Sequence, residues 1–213
     1  MIARRLGRLR GDDRGVAMIE FALALPVLLV LLVMGLEMVS YSAAHMQVSR
    51  LANSTADLAA RYRASIDEAD VRKLFLGAQL SADGIDFADH GRLLLSSITR
   101  NQTSDGHWIR WQRCQGDLDV TSAFGAQGDG QRDTTLATVN NMTLNTGDNV
   151  MVAEASYDYQ PLLYSNAVFE RIFGSRRIRY TSSYMAREIA LPTLTNSTNI
   201  PSGSWQTVAN GCP

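Results

Sequence analysis

Two cysteines and three histidines are all that this 213-residue chain offers to thiolate or imidazole chemistry, and they are scattered. Cys114 and Cys212 make no CxxC pair, and His45, His90 and His107 form neither an HExxH pattern nor any other metal spacing. A P-loop and a GxSxG elbow are also missing, which removes those routes to phosphate binding and nucleophilic catalysis. His107 beside Trp108 lacks an acid–base partner and reads as packing or surface. A formal charge of −1 supplies no basic field, and the aromatics, 8% of residues, are not interleaved with Lys or Arg, so nucleic acid is excluded as a partner. These absences speak against an enzyme, a metal and a cofactor.

What remains is unevenly distributed. Arg4, Arg5, Arg8, Arg10 and Arg14 crowd the first 15 residues against only Asp12 and Asp13, and 15 of the 20 basic and 19 of the 21 acidic side chains lie beyond them. Residues 16–39 then contain only Glu20 and Glu37 as ionisable groups, and residues 21–36 are an unbroken apolar run. As a helix at about 1.5 Å per residue, residues 16–39 are roughly 36 Å long, enough for a hydrocarbon layer of about 30 Å. The arginines upstream, against His45 and Arg50 just downstream, place the N-terminus in the cytoplasm and the rest across the membrane. A secretory signal peptide competes, with small residues at Ser42, Ala43 and Ala44, but the run exceeds the usual h-region of about 7 to 15 residues.

Glu20 is the informative residue, because a carboxylate placed deep in an apolar helix costs up to about 3 kcal/mol. A cut between Gly15 and Val16 would create an α-amine at i, opposite Glu20 at i+4. A neighbouring subunit's amine is an alternative partner, and a Glu that snorkels to the headgroups is a third.

Gly15-Val16-Ala17-Met18-Ile19-Glu20-Phe21, a glycine followed by four residues, a glutamate and an aromatic, resembles the class III prepilin cleavage site of tight-adherence (Tad) pili. The longer stretch through Pro26-Val27-Leu28, followed by Gly35-Leu36-Glu37, is similar to the N-terminal region of TadE-like minor pilins. The resemblance implies cleavage after Gly15 by a prepilin peptidase of the bacterial inner membrane. It further implies contact with other pilin and pseudopilin subunits and an inner-membrane assembly platform, a part in an adhesion and secretion pilus of the Flp type, and an assembly role for Glu20. Major Flp pilins usually carry tyrosine after the glutamate and are far shorter; Phe21 and the chain length fit a minor subunit. Pro26 interrupts one helical hydrogen bond within the apolar run, as a flexible point or a tolerated kink.

Beyond the membrane, Tyr41, Ala44, Val48, Leu51, Thr55, Leu58 and Tyr62 recur at 3–4 spacing and predict that the helix continues to about residue 64, with this stripe on its covered face. Ser65 and Glu68 form a capping-box pattern before a second helix, which ends at Gly77 or in residues 81–84. Strands are predicted at residues 92–99, 107–114, 150–159 and 177–187; in the last, Ile178, Tyr180, Ser182 and Tyr184 share a buried face. Trp108 and Trp111, an odd number of positions apart, are expected on opposite faces. Residues 116–130, rich in Gly and Asp, read as a solvated loop; Asp117, Asp119, Asp129 and Asp133 fit no EF-hand. Residues 161–173 suggest a short helix, with Pro161 in its first turn and Gly174 at its end, or an irregular crossover.

The sequence therefore predicts an α+β fold: leader 1–15, transmembrane helix 16–39, helical stem 40–64, an extracytoplasmic domain 65–190 with a small antiparallel sheet, and an extended tail 191–213. Cys114 and Cys212 allow one intrachain disulfide if the domain lies outside the cytoplasm; two free thiols are the alternative. Two other functional readings stand beside the minor pseudopilin. One is an uncleaved single-pass membrane protein presenting a binding module, which keeps residues 1–15. The other is a secreted enzyme starting near His45.

Overall fold

The computed structural model describes residues 15–62, 65–101, 106–132, 144–163, 165–186, 194–196, 206–207 and 212. The leader before Gly15, Asp133 and most of the tail lie outside them. One helix dominates the α+β fold: α1, Val16–Ala60, is 45 residues long, about 67 Å at the usual rise. Its two halves live in different surroundings. Residues 16–32 are exposed along every face, whereas from Glu37 onward a stripe containing Ala44, Val48, Leu51, Ala52, Thr55, Ala56, Ala59 and Ala60 is buried.

That stripe begins as the spacing predicts and then departs from it. Leu58 is 50% exposed, and Ala59 and Ala60 are covered instead. A strict 3–4 alternation drifts by about 20° per heptad around a straight 3.6-residue helix. By Leu58 the expected stripe has rotated off the face, while Ala59 stands five full turns above Tyr41. The helix ends at Arg61, earlier than expected, with the amides of Arg61 and Tyr62 bonded to the carbonyls of Leu58 and Ala59.

A two-residue strand, β1 (Ile66–Asp67), precedes α2 (Glu68–Ser81). The expected capping box does not form. Asp67 caps α2 by accepting from the Ala69 amide at 2.9 Å, and Glu68 instead forms a two-pronged ion pair with Arg113, both half-buried. A 3-10 turn (Asp83–Ile85) and the short α3 (Phe87–His90) lead into the sheet.

The sheet contains β2 (Gly91–Arg100), β3 (His107–Gln115), β4 (Asn149–Asp158), β5 (Arg177–Met185) and β7 (Gln206–Thr207), in the order β5-β4-β2-β3-β7, all antiparallel. Helix α4 (Asn166–Phe173) connects β4 to β5. It begins after Ser165, so Pro161 stands outside it, in the approach loop; Gly174 ends it as expected. In the tail, β6 (Leu194–Thr195) pairs in parallel with β1, and β7 adds to the free edge of β3.

One face of the sheet packs on α1. Leu93, Leu95, Met151, Ala153, Ala155, Tyr157, Ile178 and Trp111 meet Val48, Leu51 and the helix alanines there, and α2 adds Val71 and Phe75. Small residues on both sides, the alanines of α1 and those of β4, let the backbones approach. The register bears out one shared face for Ile178, Tyr180, Ser182 and Tyr184, each opposite a helix-facing residue of β4, but its burial fades along the strand: Ile178 and Ser182 are buried, Tyr180 is half-buried and Tyr184 is exposed. The two tryptophans depart from expectation. Ser97 pairs with Trp111 and Ile98 with Ile109, so Arg110 is the extra residue of a bulge. The bulge shifts the alternation by one, and Trp108 and Trp111 come to the same side.

The other face is partly covered, because residues 116–132 fold back over it, although many of their side chains, Asp117, Asp119 and Asp129 among them, stay exposed as expected. Ile98, Ile109, Val150 and Val152 form a second core with Leu144, against which Phe124 packs, and Val120 is buried. Gly130 permits the return: its φ is +79°, and a Cβ there would run into the His107 carbonyl. Glu154, buried in the sheet, accepts from the Ser122 hydroxyl and, at 2.8 Å, from the Ala123 amide, which fixes the loop to β4.

Candidate functional site

Two positions on α1 are chemically distinctive. The first is its N-terminal end, where Gly15 is the N-cap residue without a side-chain cap and Val16 is the first helical residue. Glu20 lies one turn above Val16, about 6 Å along the axis and on the same side. Glu20 is exposed, as are Val16 and Phe21, and it makes no hydrogen bond to any described residue. Gly15, Val16, Glu20 and Phe21 thus stand together on a helix end that no other described part of the chain covers. Among the described residues one helix, α1, is long and apolar enough to cross a membrane, and its most apolar window has no burial.

The second position is Glu37, the residue that ends the apolar run. The sequence assigns it no role, although the cost of a carboxylate in an apolar helix, which singles out Glu20, applies to it equally. Its side chain is fully buried. One carboxylate oxygen accepts from the Tyr159 hydroxyl at 2.8 Å and the Leu162 amide at 3.3 Å; the other accepts from the Leu163 amide at 3.1 Å. Three donors from the β4–α4 connection therefore converge on one helix side chain, and the sheet domain is fastened to α1 where the apolar segment stops.

Aromatic rings surround this fastening. Tyr41, one turn above Glu37, lies edge-on to His45 at 4.5 Å, to Tyr159 at 5.1 Å and to Phe169 at 5.3 Å. Phe173 packs on Phe169 at 4.8 Å, and the His45 Nδ1 atom is 3.1 Å from the Tyr180 hydroxyl. Burial first, and then the hydrogen bond to Glu37 and its charge, hold the Tyr159 phenol well above the usual tyrosine range. Burial alone lowers the His45 imidazole below its ordinary value, which keeps it neutral in this apolar setting.

The remaining sequence-derived positions are far from both. Cys114 on β3 and Cys212 lie side by side, with Cα atoms 6.0 Å apart and both residues buried beside Leu94. This places Cys212 against the sheet, with its thiol positioned to pair with Cys114. Asp117, Asp119 and Asp129 belong to the covering loop; the Asp129 carboxylate accepts from the Ala126 amide at 2.7 Å, and among the described residues no three His, Cys, Asp or Glu side chains group as a metal site.

A family model described as TadE-like protein matches residues 15–57, which is α1 from its N-cap to its last turn. No curated protein and no solved structure matches the chain. The match thus ends before the sheet domain begins.

Proposed function

On the premise that residues 15–57 form a TadE-like segment, we propose that the chain is a minor pseudopilin of a tight-adherence pilus, with a structural and not a catalytic part. It is made as a prepilin in the bacterial inner membrane, its arginine-rich N-terminus in the cytoplasm and its sheet domain in the periplasm. A prepilin peptidase cuts between Gly15 and Val16, and the α-amine of Val16, on this chain or a neighbouring subunit, pairs with Glu20. The matured helix then packs with other pilin and pseudopilin subunits at an inner-membrane assembly platform. In the periplasm the Cys114–Cys212 bond closes under oxidising conditions.

The observation that carries this reading is the placement of Glu20: an exposed carboxylate in the apolar segment, one helical turn beyond Val16 and without a hydrogen-bond partner among the described residues. An ammonium at Val16 would offset much of the cost of keeping Glu20 there. N-terminal sequencing of the protein from its native host is the test. The expected first residue is Val16; retention of Met1 would overturn cleavage in favour of an uncleaved membrane-anchored module, and a start near His45 would overturn the anchor as well.

A further inference from the structure

We propose that Leu162, Leu163 and the outward side of α4 form a foot that rests in the headgroup boundary of the lipid bilayer beside the anchoring helix. The inference rests on the reading that the first half of α1 spans a bilayer, and it adds a second contact with the same membrane. Residues 16–36 cover about 31 Å at 1.5 Å per residue, the thickness of the hydrocarbon layer, so Glu37 stands at the boundary on the domain's side. The Glu37 carboxylate holds the backbone of Leu162 and Leu163 at that level. Their side chains are 71% and 51% exposed.

On α4, Phe169 turns toward Tyr41 and Tyr159 and Phe173 packs on Phe169, while Val168 and Ile172, one turn apart, are 43% and 50% exposed. Arg171 is exposed on the same helix and supplies a cation that lipid phosphate can pair with. The exposure of α1 already falls at Val33 and Met34, within the apolar run. Large exposed apolar side chains on a water-facing surface signal a partner. Here the tie of Leu162 and Leu163 to Glu37, at the end of the anchor, identifies the partner as the phospholipid interface. The aromatic collar of Tyr41 and Tyr159 has the amphipathic character found at that level.

The test uses the full chain in phosphatidylethanolamine–phosphatidylglycerol vesicles, with native disulfide intact and one nitroxide label at Leu162→Cys, Ile172→Cys, Leu29→Cys or Leu80→Cys. Relaxation by oxygen and by a water-soluble nickel chelate gives each label's depth. Labels at positions 162 and 172 are expected about 5–10 Å below the phosphates, as for an interfacial helix. The label at 29 in the anchor is expected deeper, and the label at 80 on α2 in water. Aqueous values at 162 and 172 with a deep label at 29 would overturn the foot and leave the anchor standing. Aqueous values at all four would overturn both. Dipolar broadening at 162 or 172 that vanishes on dilution with lipid would overturn the proposal by assigning the surface to a second copy.

Discussion

Removing the Glu37 carboxylate is the sharpest perturbation of this architecture. Glu37→Ala leaves the Tyr159 hydroxyl, on a residue that is 4% exposed, without its acceptor; an unsatisfied buried donor of this kind costs about 1–3 kcal/mol. The two amides also lose bonds to a carboxylate, about 1.5–3 kcal/mol each where nothing replaces it. At the headgroup boundary, interfacial water and headgroups recover part of that loss, and relief from burying a carboxylate offsets some of the remainder. The expected net effect is about 3 kcal/mol, which for a folded unit of this size lowers the melting temperature by about 6–12 °C. Glu37→Gln keeps the shape but turns an amino group toward one donor, and should fall between alanine and the parent. The assay is thermal unfolding of the full chain in detergent micelles, followed by near-UV circular dichroism. Glu170→Ala, which breaks the ion pair with Arg176 at the surface, is the control and should cost under about 1 kcal/mol. If Glu37→Ala melts together with Glu170→Ala, the fastening carries no energy and the reasoning fails. A Glu37→Ala, Tyr159→Phe cycle should show coupling of about 1 kcal/mol; strict additivity would deny the bond.

Four other outcomes are expected. Glu20→Ala leaves cleavage after Gly15 intact but weakens recovery of the protein in sheared pilus fractions, read by immunoblot; undiminished recovery would remove the charge-pairing role. Reduction of Cys114–Cys212, which closes a separation of 98 residues, lowers the guanidinium unfolding free energy by about 2–4 kcal/mol. Burial depresses the folded-state pKa of His45 below its unfolded value of about 6.5, so its contribution is present above that pH and is lost as pH falls through about 6.5 and below. His107 shifts in the same direction, so His45→Gln should flatten only part of the acid slope in a pH series of melts. Gly130→Ala forces a side chain into a positive-φ position against the His107 carbonyl and should cost at least about 1 kcal/mol, with faster amide exchange in residues 116–130.

Local periodicity carried much of the fold. The four long strands fall within two residues of the predicted bounds, because each alternates or runs apolar between Gly, Asp and Asn breaks. Expectations that rested on one local signal fared less well. The Ser65 capping box lost to Asp67 because Glu68 found Arg113, 45 positions away. The loop at residues 116–130 is rich in Gly and Asp, and its composition hid Val120 and Phe124, which cover the second sheet face.

The sequence by itself determined the apolar anchor, the candidate cleavage position with its carboxylate one turn beyond, and the alternation of the strands, since all of these are set by neighbours within a few residues. Only the tertiary structure decided what Glu37 does, which way Trp108 faces and what covers the back of the sheet. The partners of Glu37 are 122 to 126 residues distant. The side of Trp108 depends on a single bulged residue, and Glu154 becomes a latch only when a loop more than 30 residues earlier returns to it. Contacts of that kind arise from chain closure and register, which no local spacing encodes.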